Sequence, residues 1–484
     1  PREFMSKMAH KHNKEEIMEE AQDLTRCANM NPAFRWFDGV YERVPADTSI
    51  HPARINPGVN RGYQPATLRD DFTLRTFTGA CGPELLLDDT LGEAYRNALF
   101  VCEPAGNCVE VRRMIDRAHD APEARILGDG RSPLASTDER FRPVQLQAGA
   151  DGALYVADMY RGIIQHRIFM TTFLREQVIQ RNLAAPVDRG RIWRLVPDDT
   201  ESRALSDFSE RSPEELVSRL GSDRGTVRLL AQRTIVEARM TECIPGLRRL
   251  ADSDAPAISR AHAMWTLAGL DAIDAARVDR AITADDPRLR THGLRLAERL
   301  EPTAMPTEAM LRSLHDPDAG VRRQAAASLG TVAAGDHVTA LADAILTHPD
   351  DTVLRSTVLA ASPGAELPLL EELVWDDRWD RATPPAMATL RLIARTVQER
   401  NDPPDMLALM ELLASIPPDR DWATETIPAW RHSVWVGVWD PWPVVRRPHL
   451  WWKVVRDAWC LEVMHRSFTK GLMQYGMMTA SKSA

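Results

Sequence analysis

Between positions 30 and 197, apolar residues fall in short alternating runs broken by turn formers. "ALFVCEP", "AGN" and "CVEVRRM" (98–114) predict a strand, a tight turn and a second strand, because period-two alternation flanks a Gly-Asn break. "GALYVAD", "MYRG" and "IIQHRI" (152–168) predict the same plan again. "GRIWRLV" (190–196) predicts a further strand with Ile192 and Leu195 turned inward. Before it, "TTFLREQVIQRNL" (171–183) has helical spacing that puts Phe173, Val178 and Ile179 partly on one face. Short strands at this rhythm indicate a β-sandwich or a propeller.

From 198 to 416 the strand pattern gives way to Ala, Leu, Arg and Asp at helical spacing. Five segments align: "SDRGTVRLLA", "SDAPAISRAHA", "DDPRLRTHGL", "DPDAGVRRQAA" and "HPDDTVLRSTV". Their anchors are Val227, Ile258, Leu289, Val321 and Val353, spaced 31, 31, 32 and 32 apart. An apolar helix precedes each turn, as in "PEELVSRL", "CIPGLRRLA", "AMLRSLH" and "VTALADAIL". One helix pair cannot bury its own apolar face, whereas stacked pairs make a continuous core, so the pattern predicts an α-solenoid. The Asp before each second helix is placed to accept from its first N–H groups. This spacing resembles HEAT-like repeats, with two degenerate copies following at 366–401 and 404–416. Arg228, Arg260, Arg290, Arg322 and Arg355 form a ladder. It suits either a groove for acidic partners or ion pairing with the Asp residues of neighbouring turns. Past 417 the repeat ends, and eight of the 13 tryptophans fall between Trp422 and Trp459. A hydrophobic cap, an aromatic binding surface and non-native sequence are the three readings of that segment.

The length of 484 residues implies two or more domains. A net charge of -9 without a long basic run argues against nucleic acid as the main partner. No stretch reaches the roughly 20 apolar residues of a membrane-crossing helix. Residues 1–29 read as a leader or tag, with vector-like sequence before Met5 and no apolar signal-peptide core. The cysteines at 27, 81, 102, 108, 243 and 460 make no CxxC, CxxCH or metal spacing, so covalent haem is not expected here. Cys102 and Cys108 flank the 103–107 turn, as free thiols or as a hairpin disulfide.

Four stretches carry a resemblance: "INPGVNRGYQPATLRDDFTLRTFTGACGPELL", "NALFVCEPAGNCVEVRRM", "LASTDERFRPVQLQAGADGALYVADMYRGIIQHRIFMTTFLREQVIQRNL" and "RGRIWRLVP". The chain resembles large membrane-bound dehydrogenases of planctomycete and verrucomicrobial type from about residue 30 to 415. In that family a propeller similar to glucose/sorbosone dehydrogenase precedes HEAT-like repeats and often a cytochrome c domain. The resemblance implies a partial β-propeller over 30–197 (roughly three or four blades) joined to an α-solenoid over 198–416. It implies a quinone-dependent oxidation of a carbohydrate hydroxyl, with electrons passed to a cytochrome c partner. Pyrroloquinoline quinone and Ca²⁺ are the cofactors by that analogy, and the periplasm or cell envelope the location. The open blade edges further predict self-association, and the solenoid predicts a protein partner.

His166 is the candidate proton acceptor, since such an enzyme takes a proton from the hydroxyl as hydride leaves. An ordinary strand histidine fits "IIQHRI" equally. Arg161 suits a grip on an anionic cofactor and Asp158 a cation ligand, with Tyr160 between them. In the competing reading Asp158 caps its turn and Arg161 is solvated. Arg142, Glu103 and Asn107 stand at strand edges, where each suits a site or a blade-to-blade hydrogen bond. Ser467 and Lys470 fit the SxxK spacing of a serine hydrolase, the third functional reading. A non-catalytic interaction scaffold is the alternative to the dehydrogenase reading.

Overall fold

The computed structural model describes residues 48–423, apart from 56–66, 90, 116–122, 129–130, 166–167, 169, 198–207, 209–210, 332–336, 401–402, 418–419 and 421. The architecture is β + α: strands occupy 81–195, and helices follow from 213. By internal contacts the chain divides into Pro1–Pro363 and Gly364–Ala484.

The first unit holds two antiparallel sheets. The first runs in the order β1 (Cys81–Leu86), β2 (Ala98–Glu103), β3 (Cys108–Ile115), β4 (Glu123–Ile126), with β5 (Leu134–Ala135) also paired to β3. The second runs β6 (Pro143–Ala148), β7 (Leu154–Asp158), β8 (Arg191–Leu195). Strand alternation sorts their side chains. Leu86, Phe100, Val109 and Val111 of the first sheet meet Leu146, Leu154 and Val156 of the second in one apolar core. The far face of the first sheet is also covered. There Cys108 packs with Ile50 and Leu74, from segments joined by isolated bridges Ser49–Thr76 and Leu68–Leu74. The far face of the second sheet, with Gln145, Gln147, Ile192 and Arg194, is exposed. No closed ring of sheets occurs among the described residues.

Three sequence expectations change here. The partner of β7 is β8, not "IIQHRI", whose described residues 163–165 and 168 are outside any strand. The chain leaves β7 abruptly because Asp158 accepts the Tyr160 N–H at 2.8 Å and Tyr160 takes φ 46°. Ile192, expected inward, is 73% exposed, since it pairs with Ala157 on the uncovered face, while Leu195 packs on the core. The helix α1 (Thr172–Gln180), capped by Thr171, buries Leu174 and leaves Phe173 and Ile179 exposed. As a short surface helix it needs only one inward residue. The four cysteines at 81, 102, 108 and 243 are free thiols.

Helices of the first unit come in pairs: α2 (Pro213–Arg219) with α3 (Gly225–Glu237), α4 (Ile244–Ala251) with α5 (Ala257–Gly269), and α6 (Ala275–Ile282) with α7 (Pro287–Ala297). The last two pairs are α8 (Thr307–Ser313) with α9 (Ala319–Leu329) and α10 (Val338–Thr347) with α11 (Thr352–Ala361). Each second helix packs on the next, α3 on α5, α5 on α7, α7 on α9 and α9 on α11. The shared register is the third helical residue: Val227, Ser259, Leu289, Val321 and Leu354, all buried. Two anchors chosen from sequence are therefore one place off. Ile258 is 42% exposed and Val353 only half-buried. Alanine-rich helices carry several apolar positions per turn, and the sequence alone does not rank them.

Capping follows the same uneven pattern. Asp286, Asp318 and Asp351 accept from the first turns of α7, α9 and α11. In α5 the N-cap is Pro256, without a side-chain bond. At α3 the carboxylate comes from the sheets. Asp88, on the β1–β2 connection, accepts from the Thr226 N–H and hydroxyl and lies 3.6 Å from Arg224. Leu87 presses on Gly225, where an added Cβ would come within 2.4 Å. The sheets and the helix pairs thus join through one buried acid and one glycine.

In the second unit, α12 (Glu366–Trp375), α13 (Pro384–Arg400) and α14 (Pro403–Ser415) enclose Leu369, Leu373, Leu390, Ile393 and Leu412. Arg400 donates to Glu366 at 2.6 Å within it.

Candidate functional site

The second sheet brings Arg142, Asp158, Tyr160 and Arg161 together at one end. Asp158 ends β7 and is buried. Its Oδ1 accepts from the Arg142 and Tyr160 N–H groups, each at 2.8 Å. Its Oδ2 accepts from Trp193 Nε1 at 3.1 Å and lies 3.9 Å from Arg191 Nε. Arg142 spends its guanidinium on three carbonyls: Nε on Arg161 at 2.8 Å, Nη1 on Pro104 at 2.6 Å and Nη2 on Gly162 at 2.9 Å. Burial pulls its pKa down to about 10, so it stays cationic at neutral pH. Tyr160 lies beneath the Arg191 guanidinium, 3.6 Å from ring centroid to Cζ. Arg161 contributes its carbonyl, and its side chain is half-buried.

The first sheet builds the same device from different residues. Glu103 ends β2 as Asp158 ends β7. It is fully buried and accepts from the N–H groups of Thr78, Gly79 and Ala105 at 2.8, 2.9 and 3.1 Å. Burial raises its pKa against those three bonds. Asn107, at φ 56°, donates to the carbonyls of Phe141 at 2.7 Å and Glu139 at 3.2 Å. Each turn acid also accepts the N–H two residues on, Ala105 for Glu103 and Tyr160 for Asp158. These bonds tie the segment before β1 to the first sheet, and the first sheet to the second.

Asp158 is filled by internal donors and Arg142 by internal acceptors. Among the described residues no three His, Cys, Asp or Glu side chains cluster as metal ligands. His166 lies outside the described residues, as do Ser467 and Lys470.

A second row of polar groups, not singled out from sequence, crosses the layer of second helices. Gln232 of α3 meets His262 of α5 at 2.6 Å, and Trp265 of α5 donates to His292 Nδ1 of α7 at 3.2 Å. Arg295 of α7 donates to Gln324 of α9 at 2.7 Å. Burial pulls the pKa of both histidines down to about 4, with nearby arginines adding to it. Both are neutral at pH 7. His292, accepting at Nδ1, therefore carries its proton on Nε2. The 30-residue interval from 232 to 262 to 292 was a readable signal.

The arginine ladder closes inter-helix turns, and two of its rungs reach the next repeat. Arg228 donates to the Ser222 carbonyl and Arg260 to that of Ala251, each closing its own inter-helix turn. Arg290 donates to the Ala284 and Asp285 carbonyls and, at 2.7 Å, to both carboxylate oxygens of Asp316 in the next repeat. Arg322 repeats this with the Asp316 and Pro317 carbonyls and lies 3.6 Å from Asp351. A shallow cleft of about 430 Å³ lies where the β1–β2 connection meets the first pairs, lined by Asp89, Arg96, Ser222, Arg228 and Ser259. No helix among the described residues is long and apolar enough to cross a membrane.

A family described as a domain of unknown function, DUF7133, matches residues 4–199. No curated protein matches the chain. Among solved structures, the complex of CpcE and CpcF of phycocyanin lyase from Nostoc sp. PCC7120 is similar at 16% identity. That match covers 48% of this chain and 99% of the other, with a TM-score of 0.26.

Proposed function

We propose that this chain carries sheets of a sugar-dehydrogenase-like β-propeller followed by a HEAT-like α-solenoid, and that its described residues act as a binding scaffold. The parent activity in this reading is oxidation of a carbohydrate hydroxyl through a quinone, with electrons passing to a cytochrome c. The observation that carries the scaffold role is the commitment of Asp158 and Arg142 to internal hydrogen bonds. Groups so engaged hold successive sheets in register and leave little to offer a substrate. The ordered layer of second helices, with its partly buried row from Gln232 to Arg295, supplies a surface for a protein partner.

A second reading, an active dehydrogenase in this chain, draws on the gathering of four candidate residues at one turn and on His166 beyond it. One assay separates the two. The chain is mixed with pyrroloquinoline quinone, Ca²⁺, a sugar panel and an artificial electron acceptor, beside a His166→Ala control. The scaffold reading expects dye reduction no faster than the control. Reduction that needs quinone and Ca²⁺ and is lost in His166→Ala overturns it in favour of the enzyme.

A further inference from the structure

Cys81 opens β1 and stands directly opposite Cys102 of β2 in the antiparallel register. Opposite residues of such a pair share one face and lie about 4.5–5.5 Å apart at Cα, inside the roughly 4.4–6.8 Å that a disulfide spans. Both side chains belong to the apolar core between the two sheets, Cys102 buried and Cys81 partly exposed. Burial raises the Cys102 pKa, and the charge of an ionised Cys81 adds to the rise, so the two sulfurs are near enough to interact. The hairpin pairing of Cys102 with Cys108 is shut out by alternation. Cys102 stands opposite Val109 and Cys108 opposite Glu103, so Cys108 packs on the other face of the sheet, with Ile50 and Leu74. The segment before β1 is already held to the end of β2, because Glu103 accepts from the Thr78 and Gly79 N–H groups.

We infer that Cys81 and Cys102 form a cross-strand disulfide that locks β1 onto β2 when the chain meets a disulfide oxidant. The Cys81 thiolate attacks one sulfur of the oxidant and expels a thiolate, leaving a mixed disulfide. The Cys102 thiolate then attacks the Cys81 sulfur and expels the second thiolate. The two protons lost by the cysteines pass to the two thiolates released. Two cysteine sulfurs are oxidised, and one disulfide is reduced to two thiols. In the closed fold this exchange is slow, because burial pushes the Cys81 thiol up to about 12, with the charge of Glu103 adding to it. The bond forms while the edge of the first sheet is open and is shielded once that edge closes. The pairing does not depend on which function the scaffold serves.

The test exposes the full reduced chain to oxidised glutathione in urea just below its unfolding midpoint, which opens the sheet edge, and then removes both. Remaining thiols are alkylated after denaturation, and tryptic peptides are read by mass spectrometry. Cys81 falls in peptide 76–96, and Cys102 and Cys108 fall in peptide 97–112. The expected product is these two peptides joined, lighter than their sum by two hydrogens and separated by reductant. Fragmentation before Pro104 should leave the bond on Cys102 and an alkyl group on Cys108. The linked chain is expected to melt roughly 6–12 °C above the reduced one and to return to the lower midpoint with reductant. Full alkylation of Cys81 and Cys102 overturns the inference, as does a bond from either to a different cysteine, or a linked chain that melts no higher.

Discussion

The sheets and the helix pairs of the first unit solve the same problem, holding a layered chain in register, with opposite kinds of polar chemistry. In the sheets a few buried groups each make several irreplaceable bonds. Arg142 alone reaches the carbonyls of Pro104, Arg161 and Gly162, which belong to two different turns. In the helices the work is spread over repeated, shallower contacts, so that Arg290–Asp316 and Arg322–Asp351 do at one level what their neighbours do at the next. Concentrated networks fail at a single residue, whereas repeated ones lose one rung.

The sharpest test removes a hub. Arg142→Met should cost about 3–5 kcal/mol, because three buried carbonyls lose a charged donor together. Hydrogen exchange read by mass spectrometry should show protection lost across 141–162 and retained over the helices at 287–329. Equal loss in both regions would erase the contrast.

Acid should act on the helices next. Burial holds His262 and His292 at about 4 in the fold, below the roughly 6.5 of a free imidazole. The unfolded chain therefore takes protons first, and stability present above about 6.5 is lost as pH falls toward 4. Each histidine should account for roughly 2–3 kcal/mol of that loss. Urea titrations at pH 7 and pH 4.5 should diverge less in His262→Gln/His292→Gln than in the parent chain.

A single rung should matter less. Arg290→Ala should cost about 1–2 kcal/mol, since it removes a partly buried ion pair and two carbonyl bonds while other rungs persist. A cost equal to that of Arg142→Met would show that the helix network is also concentrated. At the small end, Arg233→Ala breaks an exposed pair with Glu237 and should change the melting midpoint by well under about 0.5 kcal/mol equivalent.

Much of the local structure was readable because it rests on short-range periodicity. The hairpin at 98–114 follows from alternation around Gly106 and Asn107, and the helix starts follow from Asp286, Asp318 and Asp351. Asp158, Tyr160 and Arg161 share one turn in the sequence, and the fold adds Arg142 to them. Their present bonds were not readable, because Trp193 and Pro104 come from 35 and 38 residues away. The choice of β8 over "IIQHRI" as the partner of β7 was equally hidden. Both runs are apolar and short, and only the Asp158 turn sends the nearer one elsewhere.

The sequence alone determined the hairpin at 98–114, the change from strands to helices along the chain, and the interval of about 32 residues at which helix pairs return. These depend on neighbours within a turn or two of the chain, where side-chain spacing acts directly on backbone choice. Tertiary structure decided which apolar residue of each helix turns inward, which strand closes the second sheet, and which acid caps the first long helix. Asp88 and Thr226 are 138 positions apart, and a bond of that reach depends on two layers having already met.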